Sequence, residues 1–103
     1  MRRVIVRYKV KPSEVEANEE LVRAVYEELG STAPAGLRYA TFKLEDGVSF
    51  VHVASVETPD GRNPLGGVEA FARFQQGIAE RCDEPPVAME MSEVGSYRFF
   101  GGE

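Results

Sequence analysis

The 103-residue chain is short of several things that chemistry usually needs, and each shortage excludes a class of protein. It has one cysteine, Cys82, so no intrachain disulfide can form; a reducing compartment is expected, and the cytoplasm is the natural one. It has one histidine, His52, and no cysteine pair, so no zinc or iron ligand set can be assembled from one chain. Lys and Arg number 12 against 17 Asp and Glu, and the formal charge is −5. Phosphate backbones are held by clustered cations, which are scattered here, and no nucleic-acid partner is expected. The longest mostly apolar stretch, Val48 to Val56, contains Ser49, His52 and Ser55 and is far too short to span a bilayer. No apolar signal segment follows Met1, where Arg2 and Arg3 lead straight into a strand pattern, so neither secretion nor a membrane partner is expected. There is no Gly-x-Gly-x-x-Gly, and the loop from Gly30 to Gly36 lacks the Lys-Ser/Thr of a phosphate cradle, so no cofactor is expected.

What is present reads as one α+β domain over 1–103. Residues 3–10 alternate β-branched and aromatic residues with cations: Val4, Val6, Tyr8 and Val10 on one face, Ile5, Arg7 and Lys9 on the other. Pro12 ends this strand, and Ser13-Glu14-Val15-Glu16 has the spacing of a capping box opening a helix. Val15, Leu21, Val22, Val25 and Leu29 recur at helical spacing, with most of the carboxylates elsewhere on the helix, and Gly30 is the expected stop. Two strands follow, residues 37–44 and 48–56, joined by Glu45-Asp46-Gly47 as an antiparallel hairpin. A Pro- and Gly-rich loop leads to a second helix over 68–82, with Val68, Phe71, Phe74 and Ile78 as its stripe. Pro85-Pro86 ends it. A fourth strand is expected from Val87 to Val94, and a short fifth from Tyr97 to Phe100.

The order β-α-β-β-α-β predicts a ferredoxin-like antiparallel sheet with two helices on one face. The other face ought then to be polar. The third strand contradicts this, because Phe50, Ala54 and Val56 point one way while Val51 and Val53 point the other. Two apolar faces need two covers, and a sheet-to-sheet homodimer supplies the second.

Few residues could carry chemistry. His52 lies mid-strand on the side of Phe50 and Ala54, where a group titrating near neutrality could move a proton in a pocket between sheet and helices. It is the candidate catalytic residue, against the alternative of a buried histidine that only hydrogen-bonds a neighbour. Tyr8, Tyr39 and Arg7 could orient a substrate oxygen, with Phe50 in the same pocket; the alternative is packing for the tyrosines and a snorkelling side chain for Arg7. Cys82, expected at a helix C-terminus beside Asp83 and Glu84, is disfavoured as a thiolate and reads as structural.

Three stretches together resemble the dimeric α+β barrel superfamily and, within it, the antibiotic-biosynthesis-monooxygenase-like proteins. They are Val6 to Pro12 leading into an acidic helix, Gly36-Leu-Arg-Tyr39, and Val68-Glu-Ala-Phe-Ala-Arg-Phe74. The resemblance implies a homodimer that binds a small apolar or aromatic ligand. It also implies a cofactor-independent monooxygenase whose aromatic or quinol-like substrate supplies the electrons; the alternative is a non-catalytic ligand-binding or stress-associated dimer. Two departures matter. Where relatives often have Trp late in the third strand this chain has Val56, and where they often have His before the first Phe of the second helix it has Ala70. Haem degradation, which needs an axial histidine on that helix, is therefore not expected. A monooxygenase role rests on His52 and its neighbouring tyrosines.

Overall fold

The computed structural model describes residues 1–99. Strand β1 runs over Arg2–Val10, helix α1 over Val15–Thr32, β2 over Leu37–Lys43 and β3 over Ser49–Val56. Helices α2, Glu69–Gln75, and α3, Ile78–Arg81, precede β4, Cys82–Met91. The sheet is fully antiparallel in the order β2-β3-β1-β4, with the helices packed on one face. This is the expected ferredoxin-like arrangement. No helix among the described residues is long and apolar enough to cross a membrane.

The elements depart from the sequence reading at their ends, each time for a local reason. The capping box does not form. Pro12 starts a 3-10 turn, Pro12–Glu14, in which the Glu14 N–H donates to the Lys11 carbonyl at 2.8 Å, and α1 begins without a side-chain cap. Nor does α1 stop at Gly30. It runs on to Thr32 and closes on Ala33, whose backbone is left-handed (φ 45°) and whose N–H donates to the Leu29 carbonyl at 2.8 Å. Pro34, which disfavours the right-handed helical region for the residue before it, sets that stop.

The second helix is broken in two. Gln76 is extended and Gly77 left-handed (φ 69°), so the chain turns between α2 and α3. The Arg81 side chain folds back over the break, donating from Nη2 to the Phe74 carbonyl at 2.6 Å and from Nη1 to the Gln76 carbonyl at 2.8 Å. A guanidinium thus satisfies carbonyls that the end of α2 leaves free.

Cys82 is accordingly the first residue of β4 rather than the end of a helix, and Pro85-Pro86 lie inside that strand. They are tolerated because β4 is an edge strand, paired with β1 alone, and the register shifts twice between Arg7 and Val10. The expected fifth strand is absent over Tyr97 to Phe99, and Phe100 lies outside the described residues.

Register assigns the faces. Phe50, His52, Ala54 and Val56 of β3 are all buried beneath the helices, alongside Tyr8 and Val10 of β1. Core packing there joins Val25 of α1 with Ala70 and Phe74 of α2. The opposite face carries Ile5, Val51, Val53, Ala40, Phe42, Val87 and Met89, of which Phe42 is 50% and Met89 62% exposed. The second apolar face inferred from β3 is therefore real and extends across all four strands.

Candidate functional site

Alternation along β3 turns His52 toward the helices, opposite Val6 of β1 and Thr41 of β2. The side chain is 5% exposed, and both ring nitrogens are engaged. Nε2 lies 2.8 Å from the Tyr8 hydroxyl. Nδ1 lies 2.5 Å from the Tyr39 hydroxyl and 3.1 Å from Thr41 Oγ1. Tyr26 of α1 reaches Thr41 Oγ1 at 2.7 Å. On the other side, Asn18 of α1, wholly buried, donates from Nδ2 to the Tyr8 hydroxyl at 3.0 Å and accepts from Arg81 Nε at 3.3 Å. One chain of polar side chains therefore runs from α3 through α1, β1 and β3 to β2. Among the described residues no buried side-chain nitrogen or oxygen lacks a hydrogen-bond partner.

Aromatic rings enclose this chain. Tyr8 stacks on Phe50 with centroids 5.5 Å apart, Phe74 sits 5.2 Å from the His52 ring, and Tyr39 is sandwiched between a stacked Tyr26 and the edge-on Phe71. Burial in such surroundings favours neutral forms. It pushes His52 down to about 4 and Tyr8 up to about 12, and it raises Tyr39 and Tyr26 as well. At neutral pH the histidine is an uncharged imidazole and the tyrosines are phenols.

Beside the chain a partly open cavity of about 820 Å³ lies between sheet and helices. Val4, Val6, Ala54, Phe71, Phe74 and Ile78 give it apolar walls, Tyr8, Tyr39 and His52 supply one polar end, and Arg2, Asn63, Gln75 and Glu90 also line it. Size and lining are those of a site for a small organic molecule. Among the described residues no group of three or more His, Cys, Asp or Glu side chains is spaced to hold a metal.

Of the residues singled out from the sequence, the structure brings His52, Tyr8 and Tyr39 together at the cavity, whereas Phe50 stacks on Tyr8 in the core and does not line it. Arg7 is on the other face, exposed, in register with Val51 and Val87, and takes no part in this site; it follows Val6 by one residue, and strand alternation sends the two to opposite sides. Cys82 is buried, and burial raises its thiol above the ordinary value.

Asn18, Thr41, Tyr26 and Arg81 were not anticipated. Two of them had a signal: Asn18 falls between Val15 and Val22 on the apolar stripe, and Arg81 follows Phe74 and Ile78 at helical spacing. A polar residue on a buried stripe needs partners, and those partners make the site.

The fold is shared with solved structures at low sequence identity. A Nitrosomonas europaea protein carrying the provisional name antibiotic biosynthesis monooxygenase aligns with a TM-score of 0.74 and 18% identity, over 92% of this chain and 100% of its own. The Mycobacterium tuberculosis protein Rv0793 aligns with 0.73 and 18%, over 92% and 96%. A further antibiotic biosynthesis monooxygenase aligns with 0.70 and 20%, over 92% and 100%. No protein-family model and no curated protein matches the chain. At these identities the likeness is one of fold alone, shared with solved structures that carry the antibiotic biosynthesis monooxygenase name. Chemistry has to be argued from the site.

Proposed function

We propose that the cavity binds a small aromatic, quinol-like molecule and that the chain oxidises it with dioxygen as a cofactor-independent monooxygenase. The observation that carries this reading is the cavity itself, of about 820 Å³, with phenylalanine and aliphatic walls, a hydrogen-bonding end formed by Tyr39, His52 and Tyr8, and Arg2, Asn63, Gln75 and Glu90 elsewhere in its lining. A flat ring packs against Phe71, Phe74, Val4 and Val6, and its oxygen meets the Tyr39 hydroxyl. In such a reaction the substrate supplies the electrons, so the protein's task is to orient it, exclude water and manage a proton. His52 is a weak base here, since burial holds it near 4. Its part is to position Tyr39 rather than to take a proton directly from substrate.

A second reading, a ligand-binding protein without turnover, is favoured by the occupation of both imidazole nitrogens within the protein. Oxygen-electrode measurements with simple naphthoquinols, run beside calorimetric binding of the same compounds, separate the two. Oxygen uptake above the uncatalysed rate, reduced at least tenfold in Tyr39→Phe, supports the oxygenase. Binding without uptake leaves the second reading, and no binding removes both.

The apolar outer face belongs to the same proposal: a second copy covers it, sheet against sheet, as a two-fold dimer. Light scattering should give twice the 11.4 kDa of one chain, and a clean monomer at micromolar concentration would overturn the dimer.

A further inference from the structure

The hydrogen bonds through the site have a direction, and it starts at Arg81. A guanidinium has hydrogens on all its nitrogens and no lone pair to offer, so it only donates. Its Nε lies 3.3 Å from Asn18 Oδ1. That contact fixes the amide: the oxygen faces Arg81, and Nδ2, which only donates, faces the Tyr8 hydroxyl at 3.0 Å. Tyr8 is 2% exposed, and the acceptor within reach of its own hydrogen is Nε2 of His52, at 2.8 Å.

Neutral imidazole carries one hydrogen, on one nitrogen or the other. Were it on Nε2, two donors would converge on the Tyr8 oxygen, and the Tyr8 hydrogen would be left with no protein acceptor on a residue only 2% exposed. The hydrogen therefore sits on Nδ1, and Nδ1–H donates to the Tyr39 oxygen at 2.5 Å. With its oxygen accepting from histidine, Tyr39 has one hydrogen left to give. Thr41 Oγ1 is already engaged, 3.1 Å from the same Nδ1 and 2.7 Å from the Tyr26 hydroxyl, and the other neighbour of the Tyr39 hydroxyl is the cavity.

The geometry points to Arg81 and Asn18 as positioning residues that make Tyr39 a hydrogen-bond donor to the cavity, and so to a ligand that presents an acceptor oxygen, a carbonyl or phenolate on an aromatic ring. This rests on the reading of the cavity as a ligand site and adds to it which polarity of ligand the site accepts. A ligand offering only a hydrogen would oppose the Tyr39 hydrogen, and one offering a lone pair completes the chain.

Asn18→Asp reverses the chain at nearly constant shape. The new carboxylate accepts from Arg81 and also from the Tyr8 hydroxyl. The Tyr8 oxygen must then accept from His52 Nε2–H, and the vacated Nδ1 lone pair takes the Tyr39 hydrogen. His52 is the only histidine, so its two ring-nitrogen signals in a 15N NMR spectrum at neutral pH read the tautomer without ambiguity. The expected result is Nδ1–H in the wild type and Nε2–H in Asn18→Asp. An Nε2–H tautomer or an imidazolium in the wild type overturns the inference, and so does an unchanged tautomer in a folded Asn18→Asp. Should that variant fail to fold, the wild-type spectrum still decides.

Binding is measured separately with 1-tetralone, which only accepts, and 1-naphthol, which can donate. The reversal should weaken tetralone relative to naphthol by roughly tenfold, the effect of one lost buried hydrogen bond. Equal changes for both compounds overturn the selectivity. Expected tautomers with neither compound bound would overturn the ligand site while leaving the hydrogen-bond direction standing, so the two failures are distinguishable.

Discussion

Acidification should unfold this protein earlier than its carboxylates alone would, because of His52. The ordinary histidine value of 6.5 applies to the unfolded chain, whereas burial holds the folded side chain near 4. Above 6.5 both states are neutral at this residue and folding bears no penalty. As the pH falls below 6.5 the unfolded chain takes up a proton that the folded site refuses, so the unfolded state binds more protons and stability declines. The decline begins near 6.5 and levels off below 4. At about pH 5 it amounts to roughly 2 kcal/mol relative to neutral pH, and the full separation corresponds to about 3 kcal/mol. For a domain of this length 2 kcal/mol lowers the melting temperature by roughly 10 °C.

The window between about pH 5 and 6.5 isolates the effect. Hydrogen bonds from Ser49 and the neighbouring Val48 N–H hold the Asp46 carboxyl down to about 2, and a hydrogen bond from Ser55 lowers that of Glu57. Those groups also favour folding at higher pH, but their unfolded values of 3.8 and 4.5 place their contributions mainly below pH 5. Urea unfolding at steps across the window measures the slope, and proton NMR of the single imidazole measures the folded midpoint directly. In His52→Gln the slope between pH 5 and 6.5 should vanish. A folded-state midpoint at or above 6, or stability flat across that window, would refute the argument that burial keeps His52 a neutral base.

Other perturbations test other parts of the fold. Gly36 has φ +80°, and a Cβ there would stand 2.7 Å from Thr58 Cγ2 and 3.1 Å from Thr58 N. Gly36→Ala should lower stability by about 2 kcal/mol, seen as a lower urea midpoint at unchanged slope. Arg81→Ala strips donors from the Phe74 and Gln76 carbonyls and from Asn18, and should lower stability by about 3 kcal/mol; Arg81→Lys should recover only part of it, because one ammonium cannot reach all three acceptors. Phe42→Glu places a charge on the outer sheet face at a half-exposed position, so the fold should survive while the mass by light scattering drops from that of the proposed dimer to 11.4 kDa.

How much of this was legible depends on the distance over which each signal acts. Strands β1 to β3 declare themselves through alternation and a turn between neighbours, which are local properties, and their ends were placed within a residue. The fourth strand was legible from Val87, though it ends at Met91 rather than Val94; its start over 82–86 was not, because Pro85-Pro86 argue against a strand unless its edge position is known, and an edge position is a property of the whole sheet. The break at Gly77 was hidden for a similar reason. Glycine inside an apolar stripe is weakly informative, and only the return of Arg81 onto the α2 carbonyls shows why the turn is stable there. The site divides in the same way. His52, Tyr8, Tyr39 and Phe50 share a face by alternation once the register is known, whereas Asn18 joins them only because α1 lies over β1. Arg7 stands where alternation puts it, on the face opposite Tyr8, and it is the sheet between them that keeps it from the cavity.

Register is the condition on which both surfaces depend, since a slip of one residue in β3 would exchange them. His52 would then stand on the outer face, and Val51 or Val53 would face Tyr8 and Tyr39, whose hydroxyls would lose an acceptor in a dry interior. The turn before β3 guards against this. Asp46 Oδ1 accepts from the backbone N–H groups of Val48 and Ser49 at 3.0 and 2.8 Å, and Oδ2 accepts from the Ser49 hydroxyl at 2.5 Å, while Gly47 takes the left-handed backbone that the turn requires. These contacts hold the first residue of β3 in place, and pairing with β1 and β2 carries that setting along the strand to His52. An exposed carboxylate outside the cavity therefore positions the imidazole inside it, and it also decides which side chains of β3 make up the apolar outer face.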